Sequence, residues 1–549
     1  MDGIDNNSND EGGIVFNTQV DALQEFKIQT SSYSAEFGRS GGAVINAITK
    51  SGTNAYHGDL FEFNRNTVFD ARNFFQPASA GPKAAYKENQ YGGTIGGFII
   101  KDKLFWFGDF QGTSIDNPVP LTSILPTAAE KTGDFTGDAT IYDPTTQTVA
   151  ADGTVTRQSF LSETGRNAIP AAKIDPLSQA FVNLYPAPNV PNNPTFNYTI
   201  DPPAPYLGLQ GDFRGDWDPS QKNQGFFRFS DGNMTQNSPQ SLPGLAQGQS
   251  GGNVDIRYLG AALGETHIFS PTVVNEFRLG FSYYGGYQEY PPVGIAYPPA
   301  NLQIPGLTLS PKTAQLAQFS PTGYSGLGMA GYDPTYLSTE ERQVTDAVSL
   351  SRGKHSIVIG FEMRWSEFNL FQVPNPDGLF NFSGQFTQDG SGNGGNGLAD
   401  ALLGLPIQAT YNTTNFRVQN RQHVPSAFFQ DDYRVTPTLT LNIGLRYDYF
   451  SPIVEKHNQQ SNFNFVTQQI EVAGVDGNSR ALTKADHLNF APRLGFAWTF
   501  HKNTVLSAGG GVFWTGQEVR ESGQLAYNIP FEYGPFFNSD GVTPIITMS

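Results

Sequence analysis

Asp389, Ser391, Asn393 and Asp400 have side-chain oxygens of the kind that bind calcium. They fall at positions 1, 3, 5 and 12 of a stretch that begins DGSGNG, as ligands do in a calcium-binding loop. The flanking residues are not expected to be helical, and the twelfth residue is Asp rather than the usual bidentate Glu. A glycine- and asparagine-rich loop without a metal is therefore the favoured interpretation, and calcium is the alternative.

Several patterns that would indicate catalysis are missing from the sequence. It contains no cysteine, and its seven histidines form no H-x-x-x-H pair, so a thiolate nucleophile or a zinc site of that type is not predicted. A phosphate-binding loop of the form G-x-x-x-x-G-K-[ST] is also missing. We therefore expect a protein that is not an enzyme and has no cofactor.

The composition favours an all-β protein with long polar loops. Gly (60), Phe (43) and Tyr (23) are abundant, whereas Lys and Arg together number only 33. A soluble α/β chain would contain more Leu, Ala, Glu and Lys, and no stretch approaches the roughly 18–20 apolar residues of a membrane-spanning helix. The formal net charge is −17, and basic residues do not cluster, so no nucleic-acid partner is expected.

From residue 54 onward, apolar and polar residues alternate in segments that predict β-strands. In the clearest one, 439–449, Ile443 and Leu445 fall on one side while Arg446 and Asp448 fall on the other. Similar alternation occurs at 277–283, 357–365 and 493–500. In a soluble sandwich the apolar side would face a core, whereas in a membrane barrel it faces lipid and the charged side faces a wet lumen.

The connections between these strands favour the barrel. Short connections at 101–103, 218–223, 269–271, 351–354, 436–437 and 501–503 alternate with long ones near 66–88, 114–207, 232–252, 289–340, 369–422 and 451–488. Soluble sandwiches rarely contain loops longer than about 12–15 residues, whereas transmembrane barrels have tight turns on one side and long loops on the other. The pattern predicts about 13 strands, with a short amphipathic helix over 174–185 in the longest loop.

Residues 26–66 contain the most specific motif. A Ser- and Gly-rich turn at 34–42 leads into an apolar strand, which is followed by a strand rich in Phe and Tyr. The apolar strand matches the pattern V-I-N-x-x-T-K through Val44, Ile45, Asn46, Thr49 and Lys50. This stretch resembles the end of the plug domain of a TonB-dependent outer-membrane transporter, where the plug runs into the first barrel strand. The alternative is an ordinary hairpin, since Gly-Gly before a β-branched run is common.

Further blocks are similar to the Oar-like branch of that family, whose members have an N-terminal carboxypeptidase-regulatory-like domain. They lie at 33–39 (YSAEFGR), 270–280 (SPTVVNEFRLG), 397–406 (GLADALLGLP), 428–449 (FFQDDYRVTPTLTLNIGLRYDY) and 489–496 (NFAPRLGF). The resemblance implies an all-β fold, a partial transmembrane antiparallel β-barrel with about 13 of about 22 strands, together with the C-terminal part of a plug domain.

The domain boundaries implied by the resemblance are 1–52 for the end of the plug and 53–549 for the beginning of the barrel. The start of the chain is not a signal peptide, and the last residues differ from the aromatic end of a final barrel strand. We therefore expect the chain to be a fragment of a longer protein.

The resemblance also indicates which residues hold the plug. Glu36 and Arg39 are the best candidates for ion pairs with the barrel wall. The plug turn and final plug strand comprise Glu36, Gly38, Arg39, Gly41, Gly42, Asn46, Thr49 and Lys50. Lumen-facing partners are predicted to be Arg278, Glu362, Arg364, Arg446, Asp448 and Arg493. The alternative for at least half of these charges is that they are solvated and unpaired.

The function implied by the resemblance is energy-coupled uptake of a scarce or bulky substrate through a plugged barrel. Its expected partners are the TonB complex, reached through an N-terminal box outside this sequence, and the lipid of a Gram-negative outer membrane. The alternative is a surface-interaction barrel that serves adhesion or cargo export without active uptake. The sequence does not identify the substrate.

Overall fold

Antiparallel strands dominate the computed structural model, which describes residues 1–8, 12–30, 33–72, 83, 85–190, 193, 195–249, 252–289, 298–329, 331–412, 416–516 and 523–549. The described strands are β1 (Leu23–Thr30), β2 (Ala43–Thr49), β3 (His57–Asn66), β4 (Lys87–Ile100), β5 (Leu104–Asp116), β6 (Leu121–Ser123), β7 (Thr148–Val149), β8 (Val155–Thr156), β9 (Tyr198–Ile200), β10 (Pro205–Ser220), β11 (Asn223–Ser238), β12 (Gly252–Ser270), β13 (Val273–Glu289), β14 (Gln318–Pro321), β15 (Thr335–Arg352), β16 (His355–Gln372), β17 (Leu379–Phe382), β18 (Gln408–Thr410), β19 (Val418–Thr436), β20 (Leu439–Asp448), β21 (Val454–Glu455), β22 (Ser461–Asn464), β23 (Gln469–Val472), β24 (Phe490–His501), β25 (Thr504–Gly511) and β26 (Phe536–Asn538). The described α-helices are α1 (Ala128–Lys131), α2 (Phe160–Thr164), α3 (Pro176–Val182) and α4 (Gly397–Leu402). None of these helices has the length and apolar character needed to cross a membrane.

Thirteen strands form one main sheet, in which each strand pairs with the next strand of that sheet along the chain. Their order is β3, β4, β5, β10, β11, β12, β13, β15, β16, β19, β20, β24 and β25, with the short β21 beside β19. All of these pairings are antiparallel. The described strands thus form a partial barrel that is not closed between β3 and β25, and the predicted strand number is confirmed.

Short and long connections alternate around this sheet as predicted. Residues 101–103 join β4 to β5 and residues 502–503 join β24 to β25, whereas residues 117–204 separate β5 from β10. All the tight turns therefore lie at one end of the strands and all the long connections at the other.

Side chains alternate between the two faces of the main sheet. On the outer face Ile443 is 39% and Leu445 is 45% exposed, while Arg446 and Asp448 on the inner face are each 1% exposed. The predicted assignment of apolar and charged residues to opposite faces is confirmed.

The N-terminal segment, residues 1–52, lies against the inner face. Its two strands β1 and β2 form an antiparallel pair that runs from Leu23 opposite Thr49 to Thr30 opposite Ala43. β2 follows the Ser- and Gly-rich turn, as predicted. β1 begins at Leu23, directly after a 3-10 turn over Val20–Ala22.

The long connections fold together into a domain that we call the cap, formed by α1–α4, β6–β9, β14, β17, β18 and β26. Its apolar core includes Phe135, Phe160, Phe181, Phe319 and Phe382, none of which is exposed. The predicted amphipathic helix is present as α3, with Phe181 and Val182 buried. The predicted long connections are present, and their apolar residues share one core.

Candidate functional site: the seam between the N-terminal segment and the sheet

Charged side chains connect the N-terminal segment to the inner face, and we call this contact the seam. Its ion pairs and hydrogen bonds form two groups. The first cluster comprises Asp5, Arg39, Glu341, Glu362, Arg364, Arg446 and Asp448. The second cluster comprises Asp2, Thr49, Ser51, Arg214, Asp216 and Arg228.

Arg364 on β16 is the centre of the first cluster. Its guanidinium pairs with Asp5 of the N-terminal segment and with Glu362 on its own strand, and it lies 3.4 Å from Glu341 on β15. Its side chain is only 10% exposed. One buried cation therefore binds three carboxylates, one of which belongs to the N-terminal segment.

Arg39 extends this cluster from the N-terminal segment. Its Nη1 lies 3.2 Å from Asp5 and 3.4 Å from Glu341, so the structure places it in an ion pair with the barrel wall. Glu341 was not among the predicted partners. The alternation of Glu341, Gln343 and Thr345 on β15 was the signal that could have placed it on the inner face, where all three are buried.

Arg446 on β20 joins the cluster from the other side. It lies 2.7 Å from Glu362 and 2.8 Å from Asp448, and its Nη1 donates a hydrogen bond of 2.8 Å to the carbonyl oxygen of Glu36. A side chain at Gly38 would collide with this guanidinium. The glycine at this predicted turn position is thus required for the close approach of Arg446.

The structure corrects the predicted ion pair of Glu36. Its carboxylate has no salt-bridge partner within 4 Å among the described residues, and its carbonyl group makes the contact with the sheet instead. Burial raises the pKa of Glu36, and the nearby Arg278 opposes this shift. The backbone carbonyl of Glu36, and not its carboxylate, therefore attaches this residue to the sheet.

Arg493 and Arg278 face inward as predicted, but neither pairs with a described carboxylate of the N-terminal segment. Arg493 donates hydrogen bonds to the carbonyl oxygens of Tyr33, at 3.0 Å, and Ser34, and its guanidinium lies 4.7 Å from the centre of the Tyr33 ring. Arg278 pairs with Glu276 on its own strand at 2.8 Å. These two arginines therefore use backbone, aromatic and same-strand partners.

The second cluster surrounds Asp2. Its carboxylate lies 3.0 Å from Arg214 and 2.9 Å from Arg228 on the sheet, and it accepts hydrogen bonds from the backbone and hydroxyl of Thr49. Arg214 also donates to the carbonyl oxygen of Thr49 at 3.1 Å. Of these residues only Thr49 was predicted, because the partner of an inward arginine depends on where a distant segment crosses the sheet.

The remaining predicted residues lie around the turn and β2. Asn46 pairs with Lys27 in the β1–β2 register, and the backbone N–H of Lys50 donates to the carbonyl of Ala22. Gly38, Ser40 and Gly42 match the sequence pattern G-x-S-x-G of a nucleophile elbow, with Gly41 between the last two. That motif requires a turn from a strand into a helix. Here the turn leads into a strand, and the Ser40 hydroxyl donates to the carbonyl of Ala43 at 3.0 Å, so the elbow geometry is missing.

A family model described as "Outer membrane beta barrel domain" matches residues 48–549. The chain belongs to this family. The predicted family and the predicted outer-membrane location are confirmed. Over 114 residues, 20% of this chain and 11% of the relative, the sequence is 34% identical to the TonB-dependent transporter Oar of Myxococcus xanthus.

Solved structures with a similar arrangement are outer-membrane transporters and receptors. The outer-membrane transporter YddB from Escherichia coli is 12% identical, with a TM-score of 0.48 over 92% of this chain and 60% of that one. The siderophore receptor PirA from Acinetobacter baumannii is 12% identical, with a TM-score of 0.44 over 94% of this chain and 52% of that one. The outer-membrane barrel described here therefore spans roughly half to three-fifths of the length of these structures and about a tenth of the curated relative.

In outer-membrane barrels the tight turns are generally periplasmic and the long loops extracellular; the cap is built from the long connections of this chain. The predicted calcium ligands belong to it. Asp389 accepts hydrogen bonds from the backbone of Ser391 and Asn393, while Asp400 lies in α4 and accepts hydrogen bonds from the amides of residues 384, 386 and 387. The expectation of a non-helical flank is wrong, and both carboxylates are occupied by backbone donors. No group of three or more His, Cys, Asp or Glu side chains able to hold a metal occurs in the described part of the chain.

Proposed function

We propose that this chain is part of a TonB-dependent transporter that takes up a scarce or bulky substrate by an energy-coupled mechanism. In this proposal residues 1–52 are the C-terminal part of the plug and residues 53–549 are the N-terminal part of the barrel. The observation that carries the proposal is the seam, in which a segment inside the barrel is attached to the wall by ion pairs.

Ionic contacts suit an attachment that has to be released. Water and neighbouring charges can solvate an ion pair as it separates, whereas opening an apolar core exposes its whole surface to water. Arg364 and Arg39 each have more than one carboxylate partner, so they can exchange partners as the segment shifts. The pull would come from the TonB complex in the periplasm, driven by the inner-membrane proton gradient, and the barrel itself would need no nucleotide.

A disulfide between Ala35 and Gly444 tests whether the N-terminal segment has to move. A Cβ atom added at Gly444 would lie 3.1 Å from the Cβ of Ala35, close to the separation of about 3.5–4.5 Å in disulfides. The sequence contains no native cysteine. In the full-length protein, the oxidised Ala35→Cys/Gly444→Cys variant should fail to restore growth of a deletion strain on a nutrient that requires the gene, and a reductant should restore it.

The two single-cysteine variants are the controls and should support growth under both conditions. Formation of the disulfide is verified by mass spectrometry of the purified protein. Full growth with the disulfide formed would contradict a transport mechanism in which this segment leaves the wall.

The second candidate function is a surface-interaction barrel for adhesion or cargo export. The cap favours it, because a domain with its own apolar core presents a fixed surface to the outside. Dissipation of the proton gradient or deletion of the TonB system separates the two. Uptake should stop under either treatment, whereas adhesion or passive passage should continue.

A further inference from the structure

Asp109 on β5 and Asp212 on β10 lie directly opposite each other in the main sheet. Residues in register share a face, and the burial of Asp212 together with the atoms of Asp109 places this face inside. Like charges directly opposite each other across two strands are unfavourable. Such a pair of carboxylates needs a compensating positive charge.

The neighbouring cations compensate this pair only in part. Asp212 accepts a hydrogen bond from the Ser230 hydroxyl, and Arg228 lies 3.7 Å from it. Both carboxylate oxygens of Asp109 are buried and have no hydrogen-bond partner among the described residues. A buried carboxylate without a partner is costly, so Asp109 lacks a compensating group among the described residues.

Gln19 of the N-terminal segment lies beside this pair. It is 4% exposed, and neither its Nε2 nor its Oε1 makes a hydrogen bond with a described residue. The turn that follows it, Val20–Ala22, packs against β4, and the Gln19 side chain lies near the carboxyl group of Asp109. A buried amide and a buried carboxylate, neither with a well-formed hydrogen bond, are therefore neighbours.

The charge balance around the site is also negative. The second cluster and this pair together contain the carboxylates of Asp2, Asp109, Asp212 and Asp216, against the guanidinium groups of Arg214 and Arg228. Both arginines are already paired with Asp2. The groups present therefore leave an excess of two negative charges.

We propose that Asp109, Asp212 and Gln19 bind a hard divalent cation of the calcium type between the N-terminal segment and the barrel wall. Carboxylate and amide oxygens are the donors that calcium prefers, and its irregular coordination is readily completed by water. Magnesium demands a stricter geometry, and transition metals prefer nitrogen or sulfur donors. The site requires only the fold, not transport, and it would tie Gln19 to β5 and β10.

The test is calcium binding by the full-length protein, purified in detergent and stripped with a chelator. We expect titration with CaCl₂ to give saturable binding that Asp109→Asn and Asp212→Asn each weaken at least tenfold. Asp389→Asn in the cap is the control and should leave this binding unchanged. Equal binding by wild type and both seam variants, or no saturable binding by wild type, would overturn the proposal.

A second measurement uses the wild-type protein alone. Calcium should slow hydrogen exchange of the peptide containing Gln19 and Val20–Ala22, and chelator should reverse the effect. Unchanged exchange would overturn the proposal. A second pair of results would also overturn it: calcium has no effect on the wild type, and the Asp109→Asn variant without calcium is as protected as was expected for the calcium-bound wild type. A proton shared by Asp109 and Asp212, and not a cation, would then compensate the pair.

Discussion

The seam and the cap both bury side chains away from water, but the buried side chains are charged in the seam and apolar in the cap. In the seam the buried side chains are charged, as with Arg446 at 1% and Glu362 at 3% exposure. In the cap they are aromatic and aliphatic, as with Phe319 and Phe382, whose rings lie 4.7 Å apart. Apolar burial stabilises without regard to direction, whereas a buried ion pair stabilises only while all its partners stay in place.

The two regions should therefore respond differently to the loss of a single group. Removing one ion from the seam leaves its partners charged, buried and unpaired. Removing one ring from the cap leaves a cavity but no unpaired charge. The seam and the cap should therefore differ both in how much stability is lost and in how far that loss spreads through the structure.

The largest effect is expected from Arg364→Leu in the seam. The change leaves Asp5, Glu341 and Glu362 without their shared cation, and breaking a buried network in this way costs about 5 kcal/mol. Hydrogen exchange of the peptide containing Asp5 should become fast, while exchange in the cap should stay unchanged.

Arg342→Leu is the matched control on the neighbouring strand β15. Arg342 also pairs with two carboxylates, Glu340 and Glu367, but its side chain is 53% exposed on the outer face. Its loss should change protection by less than about 1 kcal/mol. Equal effects of the two leucine variants would show that burial of the charges does not distinguish the seam.

The sequence predicted which charged residues of the sheet face inward, but it did not predict which residues they pair with. Period-two alternation assigns Glu362, Arg364, Arg446 and Asp448 to one face, because strand geometry is local. Which of them meets the N-terminal segment depends on contacts such as Arg364 with Asp5, which lie 359 residues apart. A single sequence contains no signal at that separation.

The next largest effect is expected from Phe319→Ala in the cap. Phe319 is fully buried and stacks on Phe181 at 5.1 Å, and truncation of a buried Phe costs about 3–4 kcal/mol. Hydrogen exchange should accelerate throughout the cap and remain unchanged in the seam. Phe465→Ala is the control, because Phe465 is 85% exposed. Acceleration confined to β14 would contradict a shared cap core.

The shared core of the cap was not predicted, because it is assembled from distant connections. Phe135, Phe181, Phe319, Phe382 and Met548 come from separate parts of the chain, and each is surrounded by polar and turn-forming residues. The helix α3 was predictable, since its apolar positions are close together in sequence. Neither composition nor periodicity indicates that isolated apolar residues will meet.

A smaller, pH-dependent effect is expected from Asp377, a buried carboxyl group of the cap. Burial raises the pKa of Asp377 to about 7, against a backbone hydrogen bond from Gln315. An acid whose pKa is raised by folding binds its proton more tightly in the folded state, so stability falls as pH rises from about 4 to about 7. The cap of the wild type should be less protected at pH 8 than at pH 5, by about 2 kcal/mol.

Asp377→Asn should abolish this part of the pH dependence and make the cap more stable than wild type at pH 8. The measurement is hydrogen exchange at the two pH values, corrected for the intrinsic rate. An unchanged slope in Asp377→Asn would assign the pH dependence to another group.

The smallest effects should come from removing one hydroxyl from each region. In the seam Ser51 donates to Asp216 at 2.6 Å, and Ser51→Ala should cost about 1.5 kcal/mol because the acceptor is charged. In the cap Thr127 accepts from the backbone of Glu130 at 3.2 Å in the capping box of α1, and Thr127→Ala should cost about 1 kcal/mol.

How far each loss of stability extends through the structure distinguishes the seam from the cap better than the size of the loss. Segments that open as one cooperative unit share any loss of stability. If the cap is held by one apolar core, Thr127→Ala should reduce protection by a similar amount in α1, α3 and α4. If the seam consists of separate polar contacts, Ser51→Ala should affect the residues next to Ser51 and leave the peptide containing Asp5 unchanged. The reverse pattern would mean that the ionic seam is the cooperative unit and that the cap is a set of independent loops.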